Sequence, residues 1–306
     1  MTADALPSAE AQSYRRRTSL RGGAKLTALA EVTAHLRCPV CAAPLVGAEG
    51  ALRCDGGHGF DVARQGYVNL LGGRRPAGAD TPSMVAARAE VLAAGHLDLL
   101  TRALTDAVDA MDPVPPGLAV DVGAGTGHHL SAVLDRLPDR FGLALDSSTA
   151  AARRAARAHP RVAAAVCDAW RGLPLLDSCA GLVLNVFAPR NGAEFRRVLR
   201  PGGRLLVLAP EPHHLSELIP ALGLLTVDPD KPRRLDVTLG RWFRLVQSQE
   251  YAASLRLDRR AVANLVAMGP NAWHSDPAGL AERISGLPEP IAVTVAVRLR
   301  VYDPVD

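Results

Sequence analysis

The 306-residue sequence predicts an α/β chain: a doubly wound, mostly parallel sheet preceded by a small cysteine-rich module. Three observations carry this. From residue 117 onward, short β-type apolar runs alternate with amphipathic helical stretches, the order of a sheet covered on both faces. Residues 120–127, Val-Asp-Val-Gly-Ala-Gly-Thr-Gly, run from an apolar strand through a tight glycine turn into a helix. Upstream, Cys38-Pro39-Val40-Cys41 is followed after twelve residues by Cys54 and then by His58.

Length allows one large domain and one small one. The 48% apolar content supports a sizeable core. No run approaches the roughly 18 apolar residues of a membrane span. The first residues lack the apolar stretch of a signal peptide, so a cytoplasmic chain is expected. The net charge of +4 is unevenly placed: residues 1–75 hold ten Lys/Arg and six Asp/Glu, whereas the remainder holds 25 of each. The excess in the first quarter suits a polyanion contact or a solvated basic tail.

Residues 1–34 are expected to form a basic N-terminal tail, with Arg15, Arg16, Arg17, Arg21 and Lys25 around Gly22-Gly23. Residues 35–71 are expected to form a metal-binding module. Its ligands are Cys38, Cys41, Cys54 and His58, two pairs that satisfy the tetrahedral preference of Zn²⁺. Leu45-Val46 and Ala51-Leu52-Arg53 predict a hairpin turning at Gly47–Gly50. The set contains no spare ligand and no neighbouring Glu to activate water, so the zinc is structural. Reduced thiols are expected, with Cys167 and Cys179 as small buried residues. Three thiolates, a neutral imidazole and Zn²⁺ leave one negative charge, among Arg37, Arg53 and Arg64. Residues 72–112 read as a linker rich in Gly and Pro, or a loop ordered by substrate, followed by helices at Met84–Ala94 and His96–Met111.

Residues 113–306 form the large domain. Strands are predicted at Leu118–Val122, Arg140–Leu145, Val162–Val166, Leu182–Val186, Arg204–Ala209, Trp242–Leu257 and Ile291–Val301. The last two form an antiparallel edge. Helices lie at Leu130–Leu137, Ser148–Ala158, Ala193–Leu199, His214–Leu222 and Arg259–Met268. Ligands of such sheets bind at the carboxyl ends of the strands, where strand order reverses. A dinucleotide fingerprint reads Gly-x-Gly-x-x-Gly, whereas Gly123, Gly125 and Gly127 read Gly-x-Gly-x-Gly with Asp121 ahead of them. That variant resembles the S-adenosylmethionine loop of class I methyltransferases. Asp146, at the end of the second strand, can accept both ribose hydroxyls or cap the helix that follows. Asp168, at the end of the third, can meet the adenine amine or act as a cap. Asn185, before Phe187-Ala188-Pro189, stands where a methyl acceptor would lie.

Taken together, Cys-Pro-Val-Cys…Cys-x3-His, Gly66-Tyr-Val-Asn-Leu-Leu71, Ala94-Gly-His96, the 121–127 loop, Ala188-Pro189, Arg200-Pro-Gly-Gly203 and Pro212-His-His-Leu215 resemble the bacterial 23S rRNA (guanine-N1)-methyltransferases. This family includes macrolide-resistance members of antibiotic producers, of the tylosin and mycinamicin type. The motifs span about residues 36 to 274. The resemblance implies a class I (Rossmann-like) methyltransferase with a seven-stranded sheet and an N-terminal zinc ribbon that recognises RNA. It implies methyl transfer from S-adenosylmethionine to N1 of a guanosine in a 23S rRNA hairpin, at the G748-type site, and macrolide resistance. A small-molecule methyltransferase and a non-catalytic zinc-ribbon RNA-binding protein are the alternatives. Carried over by position, cofactor contacts are Leu97, Gly127, His128 and His214, beside Asp121, Gly123, Gly125 and Asp146. Leu97 stands where family members can have an aromatic residue, so apolar or backbone contact is what carries over. No family role attaches to residues 1–34. Asp168, Asn185 and His214 are the candidates for proton transfer, and none is singled out. His96 can cap a helix or face the cofactor, and Trp273 can stack on a base or belong to the rim. A homodimer, with two zinc modules making one cleft, is compatible with a folded hairpin.

Overall fold

The computed structural model describes residues 24–73, 78–111, 113–226, 237–274 and 276–305. The elements, in chain order, begin with α1 (Ala24–Thr33) and the short strands β1 (Val46–Ala48), β2 (Ala51–Arg53), β3 (Gly59–Asp61) and β4 (Tyr67–Asn69). Helices α2 (Pro82–Ala93) and α3 (Asp98–Asp109) follow. Next come β5 (Leu118–Val122), α4 (His128–Arg136), β6 (Gly142–Asp146), α5 (Thr149–Ala155), β7 (Val162–Val166), β8 (Ala180–Val186), α6 (Gly192–Val198) and β9 (Leu199–Pro210). The chain closes with α7 (Leu218–Leu222), β10 (Phe243–Leu257), α8 (Arg259–Ala267), α9 (Asn271–His274), α10 (Pro277–Ser285) and β11 (Ile291–Pro304).

Strands β1-β2-β3 form a small antiparallel sheet, the ribbon. The main sheet has the order β10-β11-β9-β8-β5-β6-β7-β4. Strands β4 to β9 within it run parallel; β11 is antiparallel to both β9 and β10. Strand order reverses between β5 and β8, and that switch places the ligand cleft. The sheet has eight strands where seven were expected. The additional one is β4, which leaves the ribbon and pairs with β7, Val68 opposite Ala165.

Alternation along the strands divides the core into two faces. Ala119, Ala144, Leu182 and Leu184 face α2, α3, α4, α7, α8 and α10. Leu118, Val120, Val122, Leu143 and Leu145 face α1, α6 and the ribbon. Leu36, Cys38, Leu45, Leu52, Cys54 and Phe60 of the ribbon belong to this second core. Two elements differ from the sequence expectation for local reasons. Residues 24–33, expected in the tail, are helical, because Ala28, Leu29 and Val32 find a buried place against β7; residues 1–23 lie outside the described residues. The helix expected at His214–Leu222 starts only at Leu218, since Leu215 takes a left-handed φ of 58°.

Candidate cofactor site and metal centre

Every residue of β5, Leu-Ala-Val-Asp-Val, is buried, and this carries Asp121 into the interior at the switch point. Asp121 is 1% exposed. Its Oδ1 has no hydrogen-bond partner among the described residues. Burial, and secondarily the Asp146 carboxylate, push its pKa up to about 7. A buried carboxylate oxygen with no donor is suited to a cation or donor brought by a ligand.

The loop after β5 needs its glycines. Gly123, Gly125 and Gly127 take φ of 80°, 55° and 78°, a region side chains avoid. A Cβ on Gly123 would lie 2.2 Å from Ala188 Cβ, and one on Gly127 would lie 3.0 Å from Ala155 Cα. The loop is thus wedged between the β8–α6 connection and α5. Gly127 caps α4 without a side-chain hydrogen bond, which leaves the first N–H groups of the helix to a ligand.

Asp146 Oδ2 accepts the Gly125 N–H at 2.8 Å, and Oδ1 accepts the Ser148 N–H at 2.8 Å. Ser148, not Asp146, caps α5, accepting from Ala151 N at 3.3 Å. Burial raises the Asp146 pKa, opposed by those two backbone donors. Each oxygen retains a lone pair for a ribose hydroxyl.

His128 opens α4. Burial lowers its pKa, and the Asp98 carboxylate opposes that shift. Asp98 lies over Gly95, whose added Cβ would meet Asp98 Oδ2 at 3.0 Å. The 95–98 turn therefore sits beside the start of α4. Leu97 occupies the N-cap position of α3 and is buried in the core; His96 is half-buried in the same turn. His129 Nδ1 is 3.0 Å from Thr101 Oγ1, and burial drives its pKa down to about 3.

On the acceptor side, Asn185 is fully buried. Its Nδ2 donates to Val122 O at 3.3 Å and Pro189 O at 2.9 Å, tying the end of β5 to the loop after β8. Phe187 is exposed, and its ring centroid is 5.7 Å from that of His214. His214 Nδ1 accepts the Ala296 N–H at 3.2 Å, which places the proton of a neutral imidazole on Nε2. Asp168 follows β7, on the far side of β6 from the switch. Its Oδ1 accepts the Trp170 N–H at 3.0 Å, and Oδ2 lies 3.4 Å from Arg171 Nε. The side chain of Trp273 lies outside the described residues.

The structure thus brings Asp121, Gly123, Gly125, Gly127, His128 and Asp146 into one locus, with His214 and Phe187 as a second group. It also places Asp80, Arg88, Asp98 and Ser148 there, which sequence reasoning missed. Ser148 was legible as a helix-cap residue; nothing in the spacing of Asp80 and Arg88 points to a glycine loop far downstream.

At the ribbon, Cys38 Sγ and Cys54 Sγ lie 3.6 and 3.4 Å from His58 Nδ1, and Cys41 Sγ lies 3.6 Å from Cys54 Sγ. All four ligand atoms fall within 4.8 Å of one another. Zn–S bonds of about 2.3 Å in a tetrahedron give S–S edges of about 3.8 Å, so the cluster fits zinc. Gly56 makes room for it, since a Cβ there would sit 3.2 Å from Cys41 Sγ.

An orphaned buried carboxylate at the switch, a glycine cradle and a ribose-competent acid fit S-adenosylmethionine. Together with the zinc cluster they define a class I S-adenosylmethionine-dependent methyltransferase carrying a structural zinc ribbon. A methyltransferase-domain model matches residues 119–203, and the N-terminal zinc ribbon of RlmA matches residues 36–74. A Micromonospora griseorubida protein that bears the 23S rRNA (guanine-N1)-methyltransferase name is 54% identical over 288 residues, covering 89% of this chain and 98% of its own. The 23S rRNA (guanine(748)-N1)-methyltransferase of Streptomyces fradiae is 52% identical over 276 residues, with the same coverage. A Bacillus subtilis relative bearing the family name is 29% identical over 278 residues, 85% of this chain and 93% of its own. The chain belongs to the 23S rRNA (guanine-N1)-methyltransferase family. Among the described residues no helix is long and apolar enough to cross a membrane.

Proposed function

We propose that this protein methylates N1 of a guanosine in a 23S rRNA hairpin, at the G748-type site, in the cytoplasm, and so protects its host against macrolides. The observation that carries this is the shared core of the ribbon and the methyltransferase sheet. It holds the zinc module at a set place beside the cofactor strands. A groove of about 700 Å³ runs between the zinc knuckle and the end of β7, lined by Arg37, Val40, Leu71, Asp168 and Arg171 among others. Two arginines and exposed Val40, with Trp170 66% exposed nearby in sequence, suit phosphates and an unstacked base. The names of the Micromonospora and Streptomyces relatives supply the rRNA atom.

S-adenosylmethionine, when bound, offers a methyl group on a positively charged sulfur. The chain's part is alignment of acceptor nitrogen, methyl carbon and sulfur. Asp146 would hold the ribose and Asp121 the cationic end. Phe187 and His214 border the acceptor side. The Nδ1 of His214 is engaged by the Ala296 N–H and is not the base for the N1 proton. Asn185 braces the loop from inside the core, and Asp168 stands on the adenine side. Among these three the proton on N1 has no evident base, and solvent receives it.

Incubation with labelled S-adenosylmethionine and unmodified 23S rRNA tests this. Label at N1 of the hairpin guanosine is the expected result. Label confined to a small acceptor leaves a small-molecule methyltransferase, and rRNA binding without label leaves a binding protein. Expression in a macrolide-sensitive host should raise the inhibitory concentration. The reading extends to a homodimer whose zinc modules share one cleft; a monomer by light scattering, with RNA bound, removes that part.

A further inference from the structure

A closed ring of contacts surrounds the middle glycine of the loop. Arg88, on the second turn of α2, lies against Gly125. A Cβ built on that glycine would be 3.2 Å from Arg88 Nη1 and 3.4 Å from its Cδ. Arg88 Nη1 donates to Asp80 Oδ2 at 2.5 Å and Nη2 donates to Met268 O at 2.6 Å. The Asp80 carbonyl accepts the Ser148 hydroxyl at 2.7 Å. Ser148 and Gly125 then meet on the two oxygens of Asp146. The ring joins α2, the glycine loop and the end of β6, and α8 reaches it through Met268.

The charges around this ring are unbalanced for the cofactor. Asp80, Asp98, Asp121 and Asp146 all stand near the loop, and they suit the sulfonium and ammonium of S-adenosylmethionine. The same ligand carries a carboxylate, which those acids repel. Burial holds His128 and His129, at the start of α4, toward their neutral forms. Among the described residues, Arg88 is the cation that bears on both sides of the loop, acting on Asp146 and on His129. Its guanidinium has five N–H groups; beyond the two bonds to Asp80 and Met268, no further partner of it is seen among the described residues. The uncapped first turn of α4 adds a favourable dipole for an anion there.

We propose that Arg88, held against Gly125 by Asp80 and Met268, is the anchor for the amino-acid carboxylate of the cofactor. This rests on the S-adenosylmethionine site described above. Asp80 orients the planar fork, and Gly125 lets it approach the loop closely. The anchor places one end of the ligand while Asp146 places the other, so the methyl-bearing sulfur between them is fixed.

Calorimetric titration with S-adenosylhomocysteine and with its decarboxylated analogue tests the assignment without turnover. The wild-type protein should prefer S-adenosylhomocysteine by at least about 10-fold, the scale of a charge-assisted pair. Arg88→Met should weaken S-adenosylhomocysteine by that factor and leave the analogue nearly unchanged. Arg88→Lys, which keeps charge but loses the fork, should retain part of the preference. Equal wild-type affinity for both ligands overturns the proposal, as does equal weakening of both in Arg88→Met. Should Arg88→Met not fold, an undiminished preference in Arg88→Lys overturns it. A wild-type protein that binds neither ligand removes the cofactor site itself, and the methyltransferase assignment with it.

Discussion

At the scale of single residues, Asp121 carries the sharpest consequence. Its folded pKa of about 7 lies above the ordinary carboxylate value of about 4. Between those values the folded chain keeps a proton that the unfolded chain has released. Stability therefore falls as pH rises through that window and stays reduced above it. Asp121→Asn removes the burial penalty of the charge. In the absence of cofactor, this variant should be more stable than wild type at pH 8 by roughly 1–3 kcal/mol. The gain should vanish near pH 4, and cofactor affinity should drop at every pH. Urea unfolding at the two pH values measures it; a variant less stable at pH 8 would show that the carboxylate is stabilised by its surroundings. None of this is visible in the motif, which shows an acid before glycines but not its burial or its orphaned oxygen.

At the scale of elements, the glycine loop and β4 behave differently. The loop was legible because glycine spacing is a local property: three left-handed residues in five allow few other side chains. Gly123→Ala should cost about 2–4 kcal/mol, since it adds a strained φ to a Cβ 2.2 Å from Ala188 Cβ. A thermal midpoint unchanged from wild type would mean that the 187–189 loop yields freely. Strand β4 was not legible as part of the main sheet. Three residues are too few to show a period, and pairing with β7 satisfies backbone groups that an edge would otherwise present to water. The Leu70 N–H continues that pairing onto Val166 O at 2.8 Å. Helix α1 was hidden for a similar reason: the partner of its buried Ala28, Leu29 and Val32 is β7, far along the chain.

At the scale of the whole molecule, the zinc module is part of the fold of the methyltransferase sheet. Cys38 and Cys54 are buried in the same core as Leu143, Leu145 and Ala165. Zinc removal should therefore lower the melting temperature of the entire chain in one transition and weaken cofactor binding with it. Cys38→Ser should act in the same direction. Calorimetry with and without chelator checks this; a separate low-temperature transition that leaves S-adenosylhomocysteine binding intact would show the ribbon to be an independent body.

What the sequence by itself determined is the chemistry that depends on short covalent spacing. The four zinc ligands, the acid-led glycine loop, the acids at strand ends and the alternation of strands and helices all follow from residues close in the chain. Only the tertiary structure decided which charges meet. Arg88 reaches Gly125, the α4 histidines are pushed toward neutrality, Asp121 is pushed toward protonation, and Asn185 turns inward as a brace. Those outcomes depend on burial and on the approach of distant segments, and local pattern holds no record of either.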